Sequence, residues 1–402
     1  MNVASSKLQN GWPTFPLGKL CEVNIGRTPS RDRPEYWGLG YPWLSIADMN
    51  QGRDLEITKE NITDLAVSGC NCRLVPVGTV LLSFKLSIGK VGIARIPLFT
   101  NEAIAALPIR NSNKLSRDYL YWALQSIDLK CGLDRAAKGL TLNKAKLVDI
   151  EIPFPPLQEQ KRIADILDRA EALRAKRRAA LAQLDELRQS IFIEMFGDPV
   201  KNPKNWDMTK LWECTEFMTS GSRGWAKYYS DAGEKFIRIQ NVRNGKLDFS
   251  DIQLVEPPKT AESIRTKVKD GDLLISITAD LGRTAVVDEQ TALEGAYINQ
   301  HLALIRLNKK IVDPVFVSQY LGSEGGKRQF SSLDQKGVKS GLNFENVKSL
   351  EFYLPPLSMQ KKFLSIVNKL GLIWEKQSQS LIEINNLFDA LMQKAFTGEL
   401  VL

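Results

Sequence analysis

One pattern occurs twice in this chain. Residues 153–167 read PFPPLQEQKRIADIL and residues 353–367 read YLPPLSMQKKFLSIV. Pro155, Pro156 and Leu157 answer to Pro355, Pro356 and Leu357, and Gln160-Lys161 to Gln360-Lys361, an offset of 200 (160 to 360). The register holds through Leu181/Leu381, Leu184/Ile384, Leu187/Leu387, Ile191/Leu391 and Phe196/Phe396. A period this long is not a solenoid unit of a few tens of residues. The chain is a duplicated module, a domain followed by a helix, twice over.

From Gln158 to Phe196 neither Pro nor Gly interrupts the sequence. Apolar residues fall at 163, 166/167, 170, 173, 180/181, 184, 187, 191 and 195, the alternation of threes and fours that makes a heptad seam. Pro155-Pro156 and Gly197-Asp198-Pro199 bracket the helix. At ~1.5 Å per residue it is about 58 Å long. Arg177 breaks the seam and Gln377 breaks it in the second copy, either as a register-setting polar position or as a snorkelling side chain. The helix surface mixes basic and acidic residues. The exception is the RAKRR run at 174–178, which suits DNA phosphates, a protein partner or plain solvent.

Two equal heptad helices in one chain can bury their seams on each other if they run antiparallel. The expected fold is therefore α/β, with α+β heads. Two similar globular domains are separated by an antiparallel two-helix coiled-coil strut, a dumbbell with pseudo-two-fold symmetry. The expected divisions are 1–155, 156–197, 198–353 and 354–402.

Each head reads as mixed strand and loop. YPWLSIADM, GTVLLSF and VGIARIPLF in the first, and EKFIRIQNV, GDLLISITAD, GRTAVVD and NQHLALIRL in the second, are short apolar runs between turn residues. SRDYLYWALQSI and DPVFVSQYLGS read as helices, the former started by Ser116 or Asp118. Internal matches run at 193 for Trp43–Ile46 with Phe236–Ile239, Gly78 with Gly271, Ser83 with Ser276 and Gly89 with Gly282. They run at 198 for Asn101 with Asn299 and at 200 for Leu142-Asn143 with Leu342-Asn343. The drift is ascribed to loops, where insertions are tolerated.

Composition narrows the chemistry. A formal charge of +8 and a pI near 9.1 favour a polyanionic partner, nucleic acid first. Cys21, Cys70, Cys72, Cys131 and Cys214 are odd in number, which argues against a disulfide framework; the lone CxC has no second pair for zinc. No apolar run reaches the ~18 residues of a membrane span and no signal-peptide core opens the chain, so a cytoplasmic location is expected. His301, the only histidine, lies in a strand-like run and is read as structural, at a strand edge.

Catalytic signatures are missing. Gly322–Lys327 has the wrong spacing for a P-loop, and there is no dinucleotide fingerprint. There is also no Asn/Asp-Pro-Pro-Tyr/Phe element of amino-methyltransferases. Asp334-Gln335-Lys336 resembles the end of a nuclease site only as such triplets do by chance. No catalytic and no metal residues are assigned.

Residues suited to DNA lie in loops. The first set is Arg27, Thr28, Ser30, Arg31 and Arg33, with Tyr36 and Trp37 beside them. Its counterpart is Ser222, Arg223, Lys227 and Tyr228, with Tyr229, and Arg238 opposite Ser45. Trp37 and Trp225 are read as core. A second pair of loops carries Lys85, Ser87 and Lys90, matched by Thr278, Asp280 and Arg283; a third carries Lys138, Thr141 and Lys144, matched by Lys336, Lys339 and Ser340. Guanidinium and ammonium groups can bond guanine edges, while hydroxyls and backbone amides hold phosphates. The copies differ most in these loops and least in the helices. That contrast suits two different ligand sequences and one kind of partner bound twice.

At these residues the chain resembles the DNA-specificity (S) subunits of type I restriction-modification enzymes. The resemblance rests on GRTPSRDRPEYWGLGYPWLSIADM, LLSFKLSIGKVGIAR and TNEAIAAL, on GSRGWAKYYSDAGEKFIRIQNV and NQHLAL, and on PPLQEQKRIADIL and PPLSMQKKF, in that order and in duplicate. It covers essentially the whole chain. It departs at IGRTP, where the family often has two glycines, and at Ser358-Met359 against Gln158-Glu159.

The resemblance implies two target recognition domains, each reading one half of a split, asymmetric site in double-stranded DNA. It implies helices that set the gap and dock two methyltransferase (M) subunits. Adenine methylation with S-adenosylmethionine then belongs to M, and ATP- and Mg2+-dependent cleavage to restriction (R) subunits, leaving this chain without a cofactor. A strut of about 58 Å spans at most about 17 base pairs at ~3.4 Å each. The half-site centres are expected roughly one helical turn apart. Two other readings are an enzyme with an unrecognised site and a coiled-coil scaffold that binds only proteins.

Overall fold

The structure is a computed structural model. It describes residues 12–129, 134–136, 139–243, 245–334 and 341–400, with backbone alone at 134–136 and 139–141. Two compact units partition the chain: residues to Arg178 with those from Gln379 onward, and Ala179–Ser378. The division falls inside both long helices, Leu157–Phe196 and Leu357–Thr397.

In the first unit a five-stranded sheet has the order Asn24–Ile25, Ile104–Leu107, Val80–Ser83, Val91–Ala94, Asp54–Leu55. Only its last pair is parallel. Val80–Ser83, Val91–Ala94 and Ile104–Leu107 are buried along their whole length, which is why they read as unbroken apolar runs. Alternation still sorts their faces. Val80 and Leu82 share a core with Tyr119 and Trp122 of the helix Arg117–Ser126, whereas Leu81 joins Leu44, Met49 and Leu55. A three-stranded sheet, Glu60–Ile62, Trp37–Leu44 and Phe99–Thr100, completes the head.

The second unit is built alike. Thr215–Ser220, Leu302–Leu307, Leu273–Ser276 and Thr284–Val286 form an antiparallel sheet in that order. Leu273 and Ile275 face Phe316 of the helix Pro314–Leu321, and Leu274 faces Ile237 and Val242. Tyr229–Ser230, Gln253–Val255, Glu234–Ile237 and Ala296–Ile298 form its companion sheet.

One reading needs correction. The internal offset grows from 193 to 198 between Gly282 and Asn299, and this was ascribed to loops. The added residues are instead a helix, Glu289–Glu294, whose N-cap Asp288 accepts from Thr291 N at 2.7 Å. A six-residue segment with one polar cap was too short for a periodic signal.

The expected antiparallel meeting of the two seams is found within each unit. In the first, Ile163 and Leu167 share a core with Ala395 and Phe396, and Arg174 Nε donates to Asn385 Oδ1 at 2.9 Å. In the second, Phe192 and Phe196 pack on Phe363 with ring centroids 5.5 and 5.6 Å apart. Burial along the helices repeats at the offset of 200: Gln160 and Gln360, Ile163 and Phe363, Leu167 and Val367 are all inside.

Candidate nucleic-acid interface

Strand register brings the nominated loops together. In the first unit Asn24–Ile25 and Val80–Ser83 both end beside the start of Ile104–Leu107, where Ile25 pairs with Ala105 and Ser83 with Ile104. Segments 26–37 and 84–90 therefore leave the sheet at one end. The third segment arrives there too, as Leu142 N donates to Phe84 O at 3.1 Å. The second unit repeats the arrangement. Ser220 pairs with Ala303 and Ser276 with Leu302, Leu342 N donates to Ile277 O at 2.9 Å, and Thr278 bridges to Gly341. In each head two loops and the described edge of a third, far apart in sequence, share one sheet end.

The middle loops have one design. Ser83 Oγ donates to Ser87 O at 2.5 Å and accepts from Lys90 N at 2.9 Å; Ser276 Oγ donates to Asp280 O at 2.5 Å and accepts from Arg283 N at 2.8 Å. Gly89 N and Gly282 N close the loops onto Ser83 O and Ser276 O at 2.9 and 3.0 Å. Each tip carries a residue in the left-handed region, Leu86 at φ 62 and Ala279 at φ 61. Left-handed backbone is costly for a residue with a side chain and concentrates at functional positions. Leu86 is 77% exposed. The sequence reading passed over both tips, although the matched serines and glycines frame them.

In the first head Gly26 lets the chain turn against the sheet, since a Cβ there would lie 2.2 Å from the carbonyl oxygens of Thr100 and Asn101. Arg27 is exposed and its Nη1 reaches only the Cys70 carbonyl, at 3.3 Å. Thr28 Oγ1 donates to Glu102. Arg31 is bound on two sides: Glu60 takes its guanidinium, with Nη2 to Oε2 at 2.8 Å, and its Cζ lies 3.8 Å over the Trp37 ring. The Arg31 guanidinium holds the Glu60 carboxyl below the usual range. Arg33 Nη1 donates to Tyr36 OH at 2.9 Å, and Ser30 is exposed, its carbonyl accepting from Trp37 Nε1 at 3.1 Å. Lys85 lies 5.4 Å from the Phe84 ring centroid. Lys90 is a brace, its Nζ donating to Asn50 Oδ1 at 2.7 Å and Ile46 O at 3.2 Å. Ser87 and Lys144 are exposed. Lys138 and the Thr141 side chain lie outside the described residues, as do Lys336, Lys339 and Ser340.

In the second head Ser222 is a correction. It is buried, and its hydroxyl is paired with Thr266 Oγ1 at 3.0 Å, because Ser222 N is drawn onto Ile298 O beneath the loop. It holds the loop in place and has no surface for a ligand. Arg223 is exposed, with Nε donating to Gln300 Oε1 at 2.8 Å. Trp225 is core as expected, stacked 5.7 Å from Phe236, whereas Trp37 is only half-buried, edge-on to Trp43. Lys227 is exposed and stands 4.9 Å from the Tyr228 ring centroid; Tyr229 is also exposed. Arg238 folds back on Asp251, with Nη2 to the Asp251 carbonyl at 3.1 Å. Arg283 Nε is held by Asp280 Oδ2 at 2.6 Å. Thr278 Oγ1 and His301 Nδ1 are 2.6 Å apart, so the one histidine fastens the middle loop to the sheet end.

Each sheet end thus presents cations of two kinds. Arg31, Lys90, Arg238 and Arg283 are held by internal acceptors and set loop shape. Arg27, Arg33, Lys85, Lys144, Arg223 and Lys227 stand without an acidic partner among the ion pairs of the described residues. Among those residues no three His, Cys, Asp or Glu side chains gather as a metal set, and no helix is long and apolar enough to cross a membrane. The arrangement can bind a polyanion at two similar but non-identical edges.

Two similar units, each with a basic, loop-built edge, define a polyanion-binding protein of duplicated build. The profile of the type I restriction modification DNA specificity domain matches residues 9–183 and again 203–386, so this chain belongs to that family of specificity subunits. It is 24% identical to the type I restriction enzyme MjaIX specificity subunit of Methanocaldococcus jannaschii, over 98% of this chain and 94% of that protein. It is 22% identical to the type I restriction enzyme EcoKI specificity subunit of Escherichia coli K12, over 99% of this chain and 91% of that one. The crystal structure of the type I restriction-modification S subunit from M. genitalium shares the fold, with a TM-score of 0.56 at 15% identity, covering 98% of this chain and 97% of that one.

Proposed function

We propose that each head reads one half of a bipartite, asymmetric site in double-stranded DNA through its sheet-end loops, and that this chain itself does no chemistry. The observation that carries this is the convergence of two separately nominated loops, with the described edge of a third at Leu142 and Leu342, on one sheet end in both units. The unlike tips support two different half-sites: Leu86 against Ala279, and Lys85 against Thr278. The like helices support one kind of protein partner bound twice. In this reading the helices set the gap between half-sites and dock two M subunits, R subunits join the complex, and the assembly works in the cytoplasm. S-adenosylmethionine acts in M, and ATP with Mg2+ in R. A system that methylates without an R subunit would use this chain in the same way.

The test is the methylated sequence. DNA from cells expressing this chain with its M subunit should carry adenine methylation at one split motif. Arg27→Ala should weaken recognition of one half only, and Arg223→Ala of the other, by ~1–3 kcal/mol where the contact is to a base. A motif change spread over both halves by either variant would overturn the assignment of one head to one half.

A further inference from the structure

The second unit contains a cleft beside its middle loop. It has a volume of about 510 Å³. Its walls are the middle loop from Ala279 to Thr284, the helices Pro314–Leu321 and Glu324–Leu333, Gly245, and the first long helix at Arg188 and Gln189. Arg188, Arg283 and Lys327 reach it, against the carboxylates of Asp280 and Asp334.

The two acids are already engaged. Arg283 Nε holds Asp280 Oδ2 at 2.6 Å, and Asp334 Oδ1 accepts from Gly341 N at 3.2 Å. Arg188 is not. It is only 9% exposed, its Nε has no hydrogen-bond partner, and its ion pair with Asp185 is stretched to 4.0 Å. A Cβ at Gly245 would lie 3.5 Å from Arg188 Nη1, so the backbone leaves room beside the guanidinium. Lys246 is next to it in sequence, and its ammonium is pushed below its ordinary range by burial and by Arg188, against the pull of Glu375 and Asp185. A buried cation without a proper partner is costly.

The repeat does not carry a cation at this position. The position 200 residues on is Phe388, which packs edge-on to Trp122 at 5.7 Å in its own unit. The first unit also matches its inward cation with acids, since Arg53 is taken by Asp118, at 2.5 Å, and by Asp168. The residue that answers to Asp168 in the second helix is Asn368.

We propose that this cleft takes a phosphate group, with the Arg188 guanidinium at its floor and Lys327 at its rim. A planar guanidinium offers paired donors to phosphate oxygens, and a cleft of this volume leaves space for the body that carries the phosphate. The cleft shares the middle loop with the half-site reading; binding of free phosphate does not depend on that reading. Two sources share the chemistry: a backbone phosphate of the bound duplex, and a free phosphate ion or small phosphate ester.

The experiment uses the full chain, inorganic phosphate and Arg188→Met, with Arg188→Phe, the residue type at the repeat position 388, as a second variant. At constant ionic strength, phosphate should raise the melting temperature of the wild type along a saturable curve. Both variants should melt no lower than wild type without phosphate and gain nothing from it. If the source is the duplex, the salt slope of DNA binding by the chain with its M subunit should fall by about one in Arg188→Met, as for one lost phosphate contact. If the slope is unchanged while free phosphate still binds through Arg188, the source is the small ligand. The proposal is overturned if wild type and variants respond alike to phosphate and the slope does not move, or if both variants melt well below wild type in its absence.

Discussion

Gln160 and Gln360 close the same latch, one in each unit. Gln160 Oε1 accepts from Ser116 N at 2.8 Å and its amide donates to Pro155 O and Lys114 O at 2.9 Å; Gln360 Oε1 accepts from Asp313 N at 2.8 Å and its amide donates to Pro355 O at 2.7 Å. Both side chains are fully buried. The Pro-Pro-Leu-x-x-Gln pattern opens both long helices. In each unit its glutamine seats the long helix on the N-terminus of a shorter one, Arg117–Ser126 or Pro314–Leu321, while Pro156, Gln158 and Lys161, and Pro356, Ser358 and Lys361, are exposed.

Replacing either glutamine by leucine should destabilise its unit. The change leaves a buried backbone N–H and one or more carbonyls without partners, at ~1–3 kcal/mol per group. Urea unfolding of Gln160→Leu and Gln360→Leu checks this, and a midpoint equal to wild type in either would show that the latch carries no stability.

Arg306 guards a buried acid. The Asp272 side chain has no exposed area, and Arg306 meets it with two bonds, Nε to Oδ1 at 2.8 Å and Nη2 to Oδ2 at 2.7 Å. Burial pushes the Asp272 carboxyl above its ordinary value, although Arg306 and the Lys269 amide pull it down. Arg306→Met removes that pull, so the carboxyl rises further and the folded state takes up a proton more readily than the unfolded chain. The loss of stability, ~3–5 kcal/mol for a stranded buried charge, should be full at neutral pH. It should shrink as pH falls through the raised carboxyl range toward ~4. Melting curves at several pH values test the sign; a deficit that grows toward acid would refute it.

The thiols should differ in reactivity. Burial pushes the Cys21 thiol up to about 12, and Cys214 is raised as well, chiefly by burial. Cys70 is only half-buried. Since the thiolate is the reactive form, alkylation at pH 8 should modify Cys70 well before Cys21 or Cys214. Peptide mass spectrometry resolves the order, and early labelling of Cys21 would contradict the packing of the first head.

Leu86 should matter to recognition more than to folding. Glycine accepts φ 62 without steric cost but loses more chain entropy on folding, so Leu86→Gly should shift stability by less than about 1 kcal/mol. An exposed apolar tip suits a thymine methyl or a base step. The variant should therefore lose discrimination in one half-site, read as relaxed methylation there. Unaltered methylation of both halves would remove Leu86 from the interface.

Much of the frame was legible because it is local or periodic. The heptad seam, the buried strands Val80–Ser83 and Leu273–Ser276, and the duplication all leave marks in the linear pattern. The short helix Glu289–Glu294 left none, having too few residues to show a period. The loops could be nominated but not sorted. Arg27 and Arg31 lie four residues apart in one polar stretch, yet one is exposed beside a carbonyl and the other is locked between Glu60 and Trp37.

The sequence by itself determined that this protein is a head and a helix made twice, since repetition and hydrophobic period are properties of order along the chain. Only the tertiary structure decided which side chains stand free at the sheet ends. That depends on strand register, which carries distant loops to one sheet end. It depends as well on whether an acid such as Glu60, or a hydroxyl such as Thr266, lies within hydrogen-bond reach through space. The same reach separates Arg188, whose acid Asp185 stands 4.0 Å away, from Arg53, which Asp118 and Asp168 both hold.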